Sequence, residues 1–319
     1  MELWLIVISL VAGSLMLYYG SEWLVRGGKG VALRLGISPF VVGLTVLAFG
    51  SSAPECITSI VSTSNPELIM GNVVGSNVAN IGIAIGLAAL VGPMAAKYDD
   101  MKLEICFMVL VEAALCVLAI FGDIGMITGI LMIITLFVFL FIVFKKKGND
   151  DSAKASYEED VTEDTLPSFV LVLLIILGLV VLYFGATFFI DGAKGLAEMM
   201  NVSDLVIGLI VVAIGTSLPE ICISVIAARR GEADMAVANI VGSNFFNILF
   251  VLSVGAILVD VPVTDSVLTF HLPFMLLFAV VMFLMVRFRN RIDRKSGLLL
   301  LGMYAVYVGV MAATPSLMI

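Results

Sequence analysis

The chain has 319 residues, of which 61% are hydrophobic and 13% charged, with mean hydropathy +1.16 and a formal net charge of −8. A soluble domain carries about 25% charged residues, and apolar runs of membrane-spanning length recur from end to end, so a soluble protein with a single anchor is excluded. Residues 150–164 (DDSAKASYEEDVTED) hold seven acids and one Lys, hence −6 of the net charge; the remainder is nearly balanced, and no basic surface points to nucleic acid.

Hydropathy divides the chain into about ten spans. The first, 3–25, follows no basic leader and ends at no small-residue cleavage site, so it is read as a retained span. The second, 37–64, contains VLAFGSSAPE, which places Pro54 and Glu55 where an apolar helix should continue. Proline lacks the helical N–H and clashes with the carbonyl four residues back, that of Gly50. An interruption with freed carbonyls around Ala48 to Gly50 is therefore expected, and such backbone survives at membrane depth only inside protein or along a polar cavity. Ser51 and Glu55 share a helical face, which Thr58 and Ser59 extend.

The third span, 68–92, carries Asn72, Ser76 and Asn80 at four-residue intervals, with Gly71 and Gly75 forming a GxxxG pair suited to close helix approach. The fourth, 103–121, holds Glu112, which has no counterpart elsewhere and is read as a helix-packing hydrogen bond. The fifth span, 125–144, leads into the acidic linker 145–167, read as solvated.

The sixth span, 168–190, opens a second copy of this pattern. YYGSEWLVRGGKGVALRLGIS (18–38) aligns with YFGATFFIDGAKGLAEMMNVS (183–203), and VVAIGTSLPE (211–220) repeats the earlier break within the seventh span, 203–228. There Thr216, Glu220 and Ser224 stand as Ser51, Glu55 and Ser59 do. In the eighth span, 234–258, ANIVGSNFFNI matches GNVVGSNVANI and places Asn239, Ser243 and Asn247. The ninth and tenth spans are 267–287 and 296–314.

Five spans per half is an odd number, so the halves 1–144 and 168–319 enter the membrane from opposite sides. The fold expected is an all-α membrane protein of ten helices in two inverted repeats, a transporter architecture with discontinuous helices at a midplane site. Its motifs lie at 43–64 and 71–86, then at 208–228 and 238–253. Sixteen of the 17 Lys and Arg residues fall in loops on one side, Lys194 alone on the other. The positive-inside rule then makes those loops and the linker cytoplasmic and both termini extracellular.

A carboxylate at bilayer depth costs at least about 2.5 kcal/mol. Glu55 and Glu220, with no Lys or Arg nearby in sequence, therefore need protons or a cation. The surrounding donors are carboxylate, amide, hydroxyl and carbonyl oxygen; His271 lies outside the motifs, and Cys56, Cys106, Cys116 and Cys222 are read as apolar packing. All-oxygen sites of flexible geometry suit calcium, and sodium uses the same oxygens.

At these residues GSSAPE with GNVVGSNVAN, and GTSLPE with ANIVGSNFFN, resemble the two alpha-repeats of the calcium/cation antiporter superfamily, above all its sodium/calcium exchanger branch. The resemblance implies exchange of calcium for sodium across the cell membrane, spans one and six as long gating helices, and no cofactor or obligatory protein partner. It implies ligand positions at Ala48, Ser51, Ser52, Glu55, Ser76 and Asn80, and at Ala213, Thr216, Ser217, Glu220, Ser243 and Asn247. The two alanines would act through their carbonyls. Ser51 stands where the family often has Thr, and Asn247 where some relatives have Asp, which argues against potassium coupling. Calcium/proton exchange on the same glutamates is the alternative. An enzyme reading has no HExxH or GxSxG pattern to support it, and a passive channel would not need two oppositely oriented breaks.

Overall fold

The computed structural model describes residues 2–147, 166–200, 213–314 and 317. Among them, nine helices are long and apolar enough to cross a membrane. We label them α1 (Leu3–Leu35), α2 (Pro39–Ser64), α3 (Glu67–Val91), α4 (Tyr98–Ile120), α5 (Met126–Lys147) and α6 (Ser168–Met199), then α9 (Ala233–Leu258), α10 (Val267–Arg289) and α11 (Arg294–Ala313). The short helices α7 (Ala213–Thr216) and α8 (Leu218–Arg229) stand between α6 and α9. The expected seventh span is described only from 213 onward; its first part, like the linker residues 148–165, lies outside the described residues.

Among the described residues the architecture is all-helical apart from a two-residue ribbon, β1 (Met94–Ala95) paired antiparallel with β2 (Arg291–Ile292). A bridge between Ile124 and Val261 joins loops elsewhere. The centre is formed by α3 and α9, whose most apolar stretches are 78% and 83% buried, against 22% for α1 and 28% for α5, α6 and α11. The two spans that carry the GSN triplets are thus the two placed furthest from lipid.

The first span is longer than hydropathy indicated. It was expected to end at 25, yet α1 continues through Arg26, Lys29 and Arg34 to a left-handed cap at Gly36 (φ 64°). Apolar composition marks where a helix leaves hydrocarbon; it does not mark where the helix ends. The extra turns are held by ion pairing of Lys29 with Glu232 (2.7 Å) and by Arg34 donating to Ser168. At 1.5 Å per residue, α1 is roughly 50 Å long, more than the ~30 Å hydrocarbon core, so it must tilt or protrude.

α1 and α6 pack antiparallel on a glycine ladder that sequence reading did not single out. Gly13, Gly20 and Gly27 recur at seven-residue spacing, as do Gly178, Gly185 and Gly192. A Cβ on Gly13 would lie 2.6 Å from the Phe189 nitrogen, one on Gly20 3.0 Å from the Gly178 carbonyl, and one on Gly27 2.7 Å from the Leu171 carbonyl. Backbone therefore touches backbone along the seam, the close approach that small residues permit between membrane helices. Gly20→Leu should separate the pair at a cost of about 1–3 kcal/mol. A thermal melt in detergent should show it, while Gly302→Leu, at an exposed glycine with nothing within 4 Å, leaves the melt unchanged.

Candidate cation site

Both proline-glutamate motifs break their helix at the same register. In α2 the break falls at Ser52 (φ −81°, ψ 9°), and a new helical segment begins Ala53–Pro54–Glu55. Between α7 and α8 it falls at Ser217 (φ −85°, ψ 3°), followed by Leu218–Pro219–Glu220. Proline suits the first turn of a helix because its missing N–H would be unpaired there in any case. Each glutamate thus sits in a first helical turn, where the helix dipole favours a carboxylate. The donor that Pro54 lacks is the one owed to Gly50. The Ala48 carbonyl accepts the Ser52 N–H (3.1 Å) and the Ser51 hydroxyl (3.3 Å). Ala213 opens α7.

Glu55 and Glu220 are fully buried. The Ser76 hydroxyl donates to Glu55 Oε1 (3.5 Å) and lies 3.5 Å from the Thr216 hydroxyl; the Ser243 hydroxyl donates to Glu220 Oε1 (3.5 Å). The Ser52 hydroxyl crosses between the motifs to Glu220 Oε1 at 3.2 Å. Contacts at 3.5 Å are at the long limit for a hydrogen bond. Ser51, Ser52, Ser76, Thr216, Ser217 and Ser243 are all buried.

The amide stripes divide into two functions. Asn72 donates to the Glu55 carbonyl (3.0 Å) and Ser59 (3.3 Å), and Asn239 donates to Ser224 (3.3 Å); these two tie α3 to α2 and α9 to α8. Asn80 and Asn247 begin π-helical turns, Asn80–Ile85 and Asn247–Leu252, which widen the helix at matching positions.

Sequence reading missed the residues that hold these amides. Asn77 and Asn244 donate to each other's backbone carbonyls, at 3.0 and 3.3 Å, across the centre of the molecule. Asn80 Nδ2 donates to Asn244 Oδ1 (3.2 Å), and Asn247 Nδ2 to Asn77 Oδ1 (3.0 Å). With their N–H ends so engaged, Asn80 and Asn247 keep Oδ1 as the unpaired end. The signal was present, since Asn77 and Asn244 stand at the same place in both GSN triplets. Glu112 makes the expected inter-helix hydrogen bond, and its partner is Asn244 Nδ2 at 3.1 Å.

Glu55 Oε2, Glu220 Oε2, Asn80 Oδ1, Asn247 Oδ1 and Ser217 Oγ are among the buried oxygens without a hydrogen-bond partner. Buried polar atoms are otherwise almost always paired. Acceptor oxygens left unpaired at two pairs of matching positions fit a hard cation better than any donor-bearing ligand. Among the described residues no three His, Cys, Asp or Glu side chains cluster, so a nitrogen- or thiolate-rich metal site is not built there. His271 is engaged apart, with the Tyr307 hydroxyl (2.7 Å) and the Leu317 carbonyl (2.6 Å). A cavity of about 120 Å³, lined by Pro54, Thr58, Tyr183, Thr187 and Thr216 among others, reaches the site between α2, α6 and α7.

The chain is similar along nearly its whole length to known membrane proteins. The family model described as sodium/calcium exchanger protein matches residues 5–145 and 170–313. An uncharacterized membrane protein of Methanocaldococcus jannaschii is 33% identical over 93% of the chain and 94% of its own length. The sodium/calcium exchanger MaX1 of Methanosarcina acetivorans is 28% identical over 95% and 97%. A solved structure of the sodium-calcium exchanger NCX_Mj, soaked with sodium and calcium, superposes with a TM-score of 0.84 at 31% identity, covering 97% of this chain and 99% of that one.

Proposed function

Because the chain belongs to the sodium/calcium exchanger protein family, we propose that it is a secondary active antiporter exchanging calcium for sodium by alternating access at the two broken helices. The observation that carries this reading is the set of unpaired buried oxygens on Glu55, Glu220, Asn80 and Asn247. Both ions use these four side chains together with Ser51, Ser52, Thr216, Ser217, Ser76, Ser243 and the carbonyls of Ala48 and Ala213. In this reading the chain has ten spans in two inverted halves, 1–144 and 168–319, joined by a cytoplasmic linker, with both termini outside the cell membrane. The antiparallel register of α1 on α6, the first helix of each half, supports that inversion.

Coupling follows from electrostatics. Two unneutralised carboxylates in a low-dielectric interior carry a penalty of several kcal/mol each, so the empty site resists the change of access. One calcium, or sodium ions in its place, neutralises the pair and lifts that penalty. Alternation therefore proceeds with one cargo or the other bound, and the two fluxes are tied together. The fully buried serine and threonine hydroxyls favour sodium as the counter-ion, since a proton needs no such shell.

The deciding experiment is calcium uptake into proteoliposomes loaded with sodium and diluted into sodium-free buffer. Uptake should require internal sodium and be indifferent to an imposed pH gradient. Uptake driven by the pH gradient alone would keep the site and make Glu55 and Glu220 proton carriers, replacing sodium coupling by calcium/proton exchange.

A further inference from the structure

At the basic end of the bundle the hairpin between α10 and α11 holds Arg287, Arg289, Arg291, Arg294 and Lys295 within nine residues, with Asp293 as its only acid. Asp293 is already committed. Its Oδ1 caps α11 by accepting the Ser296 N–H (2.9 Å) and hydroxyl (3.0 Å), and its Oδ2 takes Arg289 at 3.3 Å. The Ser296 bonds hold its carboxyl below the usual carboxylate range, so it stays ionised without balancing the cluster. Arg287 lies over the Tyr98 ring, 4.9 Å from its centroid. Arg291 reaches Asp293 only at 3.8 Å, and Arg294 and Lys295 are exposed with no acidic partner among the described residues. Three other cations at this end have acidic partners: Lys29 with Glu232, Lys147 with Glu104 and Arg230 with Glu22.

Arg291, Arg294 and Lys295 line a groove of about 480 Å³ together with Pro93, Arg289 and Asp293. Its floor is fixed, because Ala95 and Met94 pair with Arg291 and Ile292 in the β1–β2 ribbon. Its height in the membrane is fixed too. Phe288 is 73% exposed, Leu298 62% and Leu299 53%, so the apolar belt ends directly against the groove.

We infer that this groove binds the phosphate of an anionic phospholipid. Arg guanidinium forks match phosphate oxygens, and basic pockets between membrane helices at this depth meet headgroups. A lipid can place its phosphate among Arg291, Arg294 and Lys295 while its chains lie along Phe288, Leu298 and Leu299. A free phosphate gains only the first half of that contact, so the flanking apolar belt favours the lipid. The inference does not depend on which counter-ion the transporter uses.

Native mass spectrometry of the intact chain released from micelles, titrated with phosphatidylglycerol or phosphatidylcholine, tests it. Phosphatidylglycerol adducts should survive preferentially. Each cation contributes about fivefold near an anionic headgroup, so R291Q/R294Q should reduce the preference roughly 10- to 30-fold. Lys145→Gln with Lys146→Gln, on α5 and outside the groove, should leave it intact. If R291Q/R294Q does not fold, Lys295→Glu alone, on an exposed unpaired side chain, should still reduce the preference severalfold. An unchanged preference in the folded variants overturns the inference. So does displacement of the phosphatidylglycerol adducts by millimolar inorganic phosphate, which would assign the groove to a free anion.

Discussion

Glu55→Gln and Glu220→Gln should each lower sodium-driven calcium uptake by at least about a hundredfold, while the purified variants elute and melt as folded protein. A unit charge about 4 Å from another is worth roughly 4 kcal/mol at an effective dielectric of 20, and a divalent ion doubles it. Glutamine keeps the shape and one oxygen but removes that charge. Folding should survive because the hydroxyl bonds these glutamates accept, Ser76 to Glu55 and Ser52 and Ser243 to Glu220, can be accepted by a neutral amide oxygen as well. The variants also divide the roles of the two carboxylates. Calcium binding measured by calorimetry should weaken in both, and near wild-type uptake in either would remove that glutamate from the site.

The second large effect is expected at a residue proposed to touch no ion. Asn244→Leu strips partners from Asn80 Nδ2, from Glu112 Oε1 and from the Asn77 carbonyl. A buried polar group left unsatisfied costs about 1–3 kcal/mol, more when it is a carboxyl. The loss should therefore be about 3 kcal/mol or greater, a fall in melting temperature of roughly 5–10 °C. Transport should fail as well, because Asn80 is then free to turn its amide and withdraw Oδ1 from the site. Adding Glu112→Leu should restore part of the stability by removing the stranded carboxyl, so the two changes should be strongly non-additive. Additive losses in the double variant would show that the Asn244–Glu112 bond carries no weight.

Much of this protein is determined by features local in sequence. A proline beside a glutamate in an apolar run is unfavourable wherever the chain folds, so VLAFGSSAPE and VVAIGTSLPE announced both helix breaks and both carboxylates. Repetition supplied the pairing of Asn80 with Asn247 and of Ser76 with Ser243, since a repeated polar stripe in an apolar span needs a repeated reason. What the tertiary structure decided is partnership. Whether an asparagine offers its oxygen or its nitrogen depends on the donor it meets, and Asn77 and Asn244 meet only when α3 and α9 cross. The reach of Ser52 to Glu220 spans 168 residues of chain, and the glycine ladder of α1 on α6 becomes a contact only once the two helices lie antiparallel. Hydropathy and periodicity record which side chains avoid lipid. They do not record which of them face one another, because that choice is made by the packing of helices distant in sequence.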